Sequence, residues 1–486
     1  MKPNNYYIYI ALFSVLLATT SGCNKNLEPY NSKSDATALL TASDLQTATY
    51  GVYALIKTHV FLRAFWWMQI FPGDDVALSG NTSNPIYNSY TYTHFPTMAN
   101  AEQAWQGAYA AIYAANRIIE RIEDGESAAL DQIKGENRYL RGLLHFILVR
   151  FFGRPYVQGN GDNPGIPIMD SPANGMPSRS SVKKTYEFIV DDLLKAADLM
   201  TQNKKASFAT KEAAYALLSR VYLYMGDDEK AILYANKVFD SNRYQLVDTE
   251  PYKKYFTVIP ENNPETIFAI RNTVADDQGK QGIGTQFYND PVTQVTGYGE
   301  TYASLTYLDI LDKYPEDVRH SFIEPQKDAN GNMLTRGGVP KYFVNKYNWQ
   351  EGVANLCSPV ISRLAEIYLN RAEAYAKLGE DELALQDVNT IRERAGLSGV
   401  ALYTVDDLKG HASVLDVVLE ERRLELAFEG QRYFDLFRNN LPMVRKYPGF
   451  HGNDHFNQTV LPTDARVIYF VPEREITVNP NLTQNP

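Results

Sequence analysis

Residues 361–378 carry a clear helical pattern of apolar and polar positions. Apolar side chains recur every three or four residues from Ile361 to Leu378, and charged side chains fill the positions between them. Because an α-helix turns once in about 3.6 residues, the two sets lie on opposite faces. Gly379 follows the last apolar position, as is typical of the left-handed residue that ends a helix. The pattern therefore predicts an amphipathic helix over 361–378.

A second stretch repeats this pattern earlier in the chain. Tyr222 and Gly226 recur as Tyr375 and Gly379, and each glycine is followed by acidic residues and then by another apolar periodic stretch. Each unit thus predicts a helix, a short turn and a second helix, which is similar to the tetratricopeptide (TPR) pattern. Further helices are predicted over 105–116, 136–152 and 185–200.

Long irregular segments separate the predicted helices. Residues 72–98, 153–181 and 273–302 are polar or rich in Gly, Pro, Asn and Ser, and residues 439–486 contain several prolines. Loops of more than about 12–15 residues in a compact protein are usually functional. We therefore expect an all-α fold, in which a TPR-like scaffold of helical pairs carries an irregular, loop-rich lobe that binds ligand.

Residues 417–438 combine many charges with many apolar residues, in the sequence VVLEERRLELAFEGQRYFDLFR. We interpret residues 415–438 as one helix. Charged residues three apart on a helix can meet, and buried charges need partners. The pairs expected on this basis are Glu420 with Arg423, Glu429 with Arg432, and Asp435 with Arg438. These charges are predicted to stabilise the fold.

The N-terminus contains a short apolar run, Tyr6 to Ala18, which ends near Cys23. Thirteen helical residues at about 1.5 Å each cannot cross a hydrocarbon core of about 30 Å, whereas a signal peptide fits. The small residues before Cys23 resemble a bacterial lipobox, which implies a signal peptide over 1–22 and lipidation of Cys23. The alternatives are an ordinary secretory signal or a disulfide with Cys357. If Cys23 is an anchor, Cys357 is expected to be a small buried hydrophobe.

The composition limits the possible partners. The net charge is −10, with 44% hydrophobic and 21% charged residues, as in an ordinary globular chain that does not bind nucleic acid. Tyrosine is abundant, with 34 residues. A tyrosine ring joins an apolar face to a polar tip and suits hydrated binding surfaces. The seven histidines show no metal-binding spacing, and no cofactor or catalytic motif is found.

The 417–438 stretch resembles the C-terminal signature of the SusD/RagB family of outer-membrane lipoproteins. Other segments resemble the same family in the same order along the chain: residues 71–75 (FPGDD), 136–142 (ENRYLRG), 150–153 (RFFG) and 471–486. The resemblance implies an N-terminal half over 23–240, which contains a variable binding loop at 73–98. It also implies a C-terminal half over 260–486, with a TPR-like unit at 361–395.

This resemblance implies a non-catalytic protein of the outer membrane, held by its N-terminal lipid and facing the exterior. It would capture oligosaccharides or polysaccharides and deliver them to a SusC-like, TonB-dependent transporter. The rivals are a peptide-binding RagB-like member of the same family, a glycoside hydrolase, and a TPR scaffold that binds only protein. A hydrolase needs two carboxyl groups about 5–9.5 Å apart on either side of a bond, which the adjacent Asp74 and Asp75 seldom provide.

Sugar recognition requires a flat aromatic ring and polar groups that reach hydroxyls. The 73–98 loop and the aromatic residues of the second half offer both. Trp66 and Trp67 lie among apolar neighbours and are expected in the core. The candidate ligand-binding residues are Asp74, Asp75, Asn84, Tyr87, Tyr90, Tyr92, Tyr288, Tyr298, Tyr302 and Trp349.

Overall fold

The computed structural model describes residues 39–78, 86–173, 175–288, 297–336, 339–445 and 458–486. Helices predominate in these ranges, which confirms the predicted all-α class. The α-helices are α1 (Ala42–Ile56), α2 (His59–Ile70), α3 (Tyr87–Thr91), α4 (Ala99–Ile119), α5 (Ala128–Phe152), α6 (Val182–Leu199), α7 (Lys211–Met225), α8 (Asp228–Asp240), α9 (Thr249–Tyr252), α10 (Leu305–Leu311), α11 (Leu364–Leu378), α12 (Asp381–Arg394), α13 (Val414–Glu425), α14 (Arg432–Arg438) and α15 (Glu473–Val478). No helix within the described ranges is both long enough and apolar enough to cross a membrane.

The two predicted TPR-like units are the helical pairs α7–α8 and α11–α12. Gly226 and Gly379 end the first helix of each pair with φ angles of 74° and 79°, a conformation that favours glycine. Helix α8 of the first pair packs against α11 of the second. The two units therefore stack on each other, and the repeat seen in the sequence corresponds to a structural repeat.

Helices α4, α5, α6 and α7 pack in succession and extend this scaffold towards the N-terminus. Helix α2 crosses α4 at Gly107, where an added Cβ atom would lie 2.7 Å from the Phe61 side chain. Only glycine allows the two helices to approach this closely. Trp66 and Trp67 on α2 are 2% and 3% exposed, which confirms that they belong to the core.

The sequence prediction was wrong at two helix boundaries. Residues 415–438 do not form one helix, because the chain turns between α13 and α14 at Phe428 and Gly430, with φ angles of 66° and 79°. Residues 361–363 belong to a short strand and not to the helix that follows. In both places a tertiary contact overrides the helical period. Gly430 lies against Gln69, and residues 360–363 pair with the strand over 266–269.

The strands are short and form two-stranded antiparallel ribbons in the described ranges. They are β1 (Val76–Leu78), β2 (Thr266–Ala269), β3 (Thr301–Ala303), β4 (Ile323–Pro325), β5 (Thr335–Arg336), β6 (Val339–Pro340), β7 (Tyr342–Val344), β8 (Val360–Arg363), β9 (Met443–Arg445) and β10 (Gln458–Val460). The ribbons are β1–β3, β2–β8, β4–β7, β5–β6 and β9–β10. The β1–β3 and β2–β8 ribbons join segments that lie far apart in the chain.

Candidate functional site

Two regions contain the residues that the sequence singled out, and the first is a group of buried charges. Arg363, at the end of β8, is 1% exposed. Its Nη1 atom lies 3.0 Å from Glu265 Oε1, and its Nε atom lies 2.9 Å from Glu429 Oε2. It also pairs with Glu425 at the end of α13, and Glu425 pairs in turn with Arg394 of α12. These ion pairs connect β8, α12, α13 and the residue that precedes β2.

The surrounding cations keep these buried carboxylates ionised. Burial disfavours the charge on Glu429, but Arg363 and Lys346 outweigh that effect and hold its pKa below the usual range. Burial likewise opposes ionisation of Glu425, and Arg394 and Arg363 more than compensate, so its pKa is also lowered. The prediction that the signature charges pair inside the fold is confirmed.

The predicted pairing pattern was wrong for two of the three pairs. Asp435 does meet Arg438, with 2.7 Å between Oδ1 and Nη2. Glu420 instead meets Lys313, and Glu429 meets Arg363 and Lys346. The turn at Phe428 and Gly430 separates Glu429 from the helix that holds Arg432, whereas Glu420 and Arg423 share α13 but Arg423 pairs with Asp75 instead.

Two further arginines of the signature bind the acidic turn of the first half. Arg432 Nε lies 2.7 Å from Asp74 Oδ1, and Arg423 Nε lies 2.7 Å from Asp75 Oδ1. Burial opposes the charge on Asp74, but Arg423 and Arg432 lower its pKa below the usual range. Burial and the neighbouring Asp74 carboxylate raise the pKa of Asp75. The two aspartates are 5% and 3% exposed, so these carboxylates hold the turn, and ligand contact at either one stays a prediction.

Two predicted tyrosines support the same turn. The Arg445 guanidinium lies over the Tyr90 ring at 3.9 Å and donates to the carbonyl oxygens of Phe71 and Gly73. The Tyr92 hydroxyl donates to the Pro72 carbonyl oxygen at 2.7 Å. Both rings are buried, and they hold the start of the variable loop where a ligand was expected.

The second region lies where the two long loops meet. Strand β1 pairs with β3, which sets Leu78 opposite Thr301. The segment just before β3 packs closely against residues near Thr285, because the Tyr298 amide donates to the Thr285 carbonyl oxygen at 2.6 Å. A Cβ atom at Gly297 would clash with the Tyr288 carbonyl oxygen, so only glycine fits there. Loop segments that are about 200 residues apart in the sequence are thus brought together by backbone pairing.

This meeting point presents an exposed aromatic ring beside polar groups. Tyr298 is 48% exposed. It interacts electrostatically with Arg63, and burial lowers the pKa of the Arg63 guanidinium. Arg63 donates a hydrogen bond to Gln281 and lies over the Trp67 ring at 5.1 Å. The half-buried Trp349 contacts Tyr288 edge to face, with 6.1 Å between ring centroids. We call Arg63, Gln281, Tyr298 and Trp349 the loop face.

The other predicted residues of this lobe have different environments. Tyr288 and Tyr302 are buried, and Tyr288 packs against Phe343 with 4.6 Å between ring centroids. Ligand contact by these two rings stays a prediction. Tyr87 on α3 is half-buried against the core. Cys23 and Asn84 lie outside the described residues, so lipidation at the first and ligand contact at the second stay predictions.

A groove along α4 was missed by the sequence reasoning. Trp105, Tyr109 and Tyr113 are four residues apart and line a cavity of about 430 Å³. Met169, Met176, Pro177 and Val478 complete its largely apolar wall. The sequence signal that could have indicated this cavity is the recurrence of aromatic residues at every fourth position of the helix. We call this cavity the α4 groove.

Cys357 is buried and forms no disulfide within the described ranges, and burial raises its pKa to about 12. This agrees with the expectation of a small buried hydrophobe. Among the described residues, no three His, Cys, Asp or Glu side chains are grouped so that they could hold a metal ion.

The fold and sequence match known proteins over almost the whole chain. A SusD superfamily protein of Bacteroides thetaiotaomicron VPI-5482, solved by crystallography, is 31% identical, with a TM-score of 0.81 over 92% of this chain and 100% of that chain. This chain belongs to the SusD family. A model of the SusD family matches residues 295–486, and a model described as "starch-binding associating with outer membrane" matches residues 25–223.

Two further SusD relatives extend the comparison. The SusD-like protein P2 of Formosa agariphila is 27% identical over 98% of this chain and 99% of that protein. The starch-binding protein SusD of Bacteroides thetaiotaomicron is 23% identical over 76% of this chain and 75% of that protein. The family resemblance that the sequence motifs carried is therefore confirmed.

Proposed function

We propose that this protein captures oligosaccharides without cleaving them and delivers them to a SusC-like, TonB-dependent transporter. Lipidated Cys23 would anchor it to the outer membrane on the exterior side. Support for glycan binding comes from the family: one matching family model is described as starch-binding, and a relative is named a starch-binding protein. The anchor and the transporter partner follow from the family resemblance and the lipobox.

The loop face is the surface that we assign to the glycan, and the observation that carries this assignment is the 48% exposure of the Tyr298 ring where the two long loops meet. An open ring can cover the C–H face of a pyranose, and a guanidinium can donate to the hydroxyl oxygens at its edge. Gln281 supplies an amide next to Arg63. Trp349 offers a second ring in the same part of the lobe.

Such a site would bind with modest affinity. A single exposed ring contributes mainly through the apolar area that a stacked sugar buries on it. Exposed polar groups add little to the free energy of binding, because they exchange hydrogen bonds with water for hydrogen bonds with sugar. Modest affinity suits a protein that must release its ligand to a transporter.

The test is a calorimetric titration of the full-length protein in detergent against plant, microbial and host glycans, with peptides included. We expect saturable heat with one glycan class and no new reducing ends. Tyr298→Ala should weaken that binding about tenfold, a loss of about 1.4 kcal/mol. Tyr50→Ala is the matched control, because Tyr50 is 49% exposed but lies on α1. Equal losses in both variants would contradict the assignment.

A peptide ligand is the second candidate, and the α4 groove is the observation that favours it. Its walls carry methionine, proline and valine side chains, and the Tyr109 hydroxyl already donates to the Pro167 carbonyl oxygen. Such a cavity can receive the aliphatic side chains of a peptide. If peptides give heat and glycans do not, Tyr113→Ala should abolish that heat while Tyr298→Ala leaves it unchanged.

A further inference from the structure

Among the residues that the structure describes, Arg150 on α5 is a buried cation without a counterion. It is 8% exposed, and its Nε and Nη1 atoms are buried without a hydrogen-bond partner in those ranges. Its guanidinium lies over the rings of Phe434 at 4.4 Å and Phe146 at 4.6 Å. Cation–π contacts offset only part of the cost of burying a charge, and buried guanidinium groups ordinarily find an anionic partner.

The nearby carboxylates are already used by other cations. Asp435 pairs with Arg422 and Arg438. Glu373 pairs with Arg438, with Arg422 and with Lys377. Asp228 interacts with Lys377 and Arg438 as well, so three carboxylates already face three cations before Arg150 is counted. These carboxylates therefore leave no counterion for Arg150.

A small cavity lies directly beside Arg150. Its free volume is about 20 Å³, and a site needs about 10–15 Å³ on this measure to hold one water molecule. Tyr186, Tyr433 and Phe434 line it together with Arg150. The Tyr433 hydroxyl is buried and meets no hydrogen-bond partner in the described part of the chain, so it can donate into this space. Burial raises the pKa of Tyr433, which keeps the hydroxyl protonated at neutral pH.

We propose that this cavity is a binding site for a chloride-sized monovalent anion, held by the guanidinium of Arg150 and the hydroxyl of Tyr433. The anion neutralises the buried cation and accepts the hydrogen bonds that these groups otherwise lack. Because Arg150 belongs to α5 and Tyr433 to α14, the anion links the scaffold of the first half to the signature region of the second. The site is separate from the loop face and from the α4 groove.

The direct test is bromide replacement in crystals of the full-length protein, read by anomalous scattering at the bromine edge. We expect a bromide peak beside Arg150 and Tyr433. In solution, sodium chloride should raise the thermal midpoint by roughly 2–4 °C over sodium gluconate at equal ionic strength. A cavity that holds only water, with no difference between the two salts, would overturn the proposal.

Variants separate the site from general salt effects. Arg150→Met keeps much of the side-chain volume and should abolish both the bromide peak and the difference between the salts. Arg466→Met is the control, because Arg466 also covers an aromatic ring, Phe470, but its Nη1 atom already donates to the main-chain oxygen of Pro486. If Arg150→Met fails to fold, Tyr433→Phe should still lower the bromide occupancy and shrink the salt-specific shift. Persistence of the full shift in Tyr433→Phe would overturn the assigned contacts.

Discussion

The signature region and the loop face use polar residues in opposite ways. By the signature region we mean residues 417–438 together with the buried charges that pair with them; there, Arg363 and Glu425 are almost fully buried, and each meets several partners of opposite charge. On the loop face, Tyr298 is half exposed and lies beside the Arg63 cation. Buried charges need fixed partners, whereas an exposed ring keeps a surface for a partner from outside. The comparison teaches that the most conspicuous motif of this chain holds the fold, while the proposed binding surface has no motif.

The largest effect should follow from removing a central cation of the signature region. Arg363→Met leaves Glu265, Glu425 and Glu429 without that cation, so we expect a loss of about 3–5 kcal/mol in the free energy of unfolding. Urea unfolding followed by circular dichroism measures it.

The control is Lys195→Met, which breaks an exposed pair with Asp191. Exposed pairs contribute little, so this variant should unfold close to the wild type. Similar unfolding midpoints for both variants would show that the buried ion pairs contribute no more to the free energy of unfolding than an exposed pair does.

Acid should weaken the signature region before it affects the loop face. The pKa values of Glu373, Glu425 and Glu429 are lowered in the folded protein, since Arg and Lys partners outweigh burial. A lowered folded pKa stabilises the protein above the ordinary glutamate value of about 4.3, and this stabilisation is lost as the pH falls towards the folded pKa. The urea midpoint should therefore be steady from pH 7 to about 5 and fall below about 4.5. In Glu429→Gln the urea midpoint should fall less at low pH. A fall identical to that of the wild type would argue against protonation of the buried glutamates as its cause.

A smaller effect should follow at the connection between the two regions. Arg423→Gln removes the ion pair with Asp75 at the start of the variable loop and leaves a buried carboxylate. We expect a loss of about 1.5–3 kcal/mol in the free energy of unfolding, as for other hydrogen bonds to charged groups. The loop face should also bind glycan more weakly, because β1 and β3 are fixed beside this turn by Ser304. Urea unfolding and calorimetry measure the two effects, and unchanged stability with weakened binding would contradict a structural role for Arg423.

The smallest effect on stability is expected on the loop face itself. Tyr298→Ala should change the free energy of unfolding by less than about 0.5 kcal/mol, since its ring is exposed. The same variant should lose most of its glycan heat. A destabilisation similar to that of Arg363→Met would mean that Tyr298 belongs to the core.

The sequence predicted the helical pairs well, because the helical period and the glycines that follow each helix are local signals. It also predicted that the signature charges pair internally. It was wrong for two of the three pairs, since the turn at Phe428 depends on the contact between Gly430 and Gln69, and Arg423 reaches Asp75, both far away in the chain. The burial of Asp74 and the nearness of Arg63 to Tyr298 are likewise tertiary facts without a local signal. Loop residues could be proposed from their residue types, but the pairing of β1 with β3 and the contacts of Ser304 that bring the loops together have no local signal in the sequence.

The most direct test is a crystal structure of the protein with the glycan that gives the strongest calorimetric signal. We predict a sugar ring stacked on Tyr298, with hydroxyls within hydrogen-bond distance of Arg63 or Gln281. A glycan seated in the α4 groove against Tyr113, with the loop face empty, would contradict that prediction.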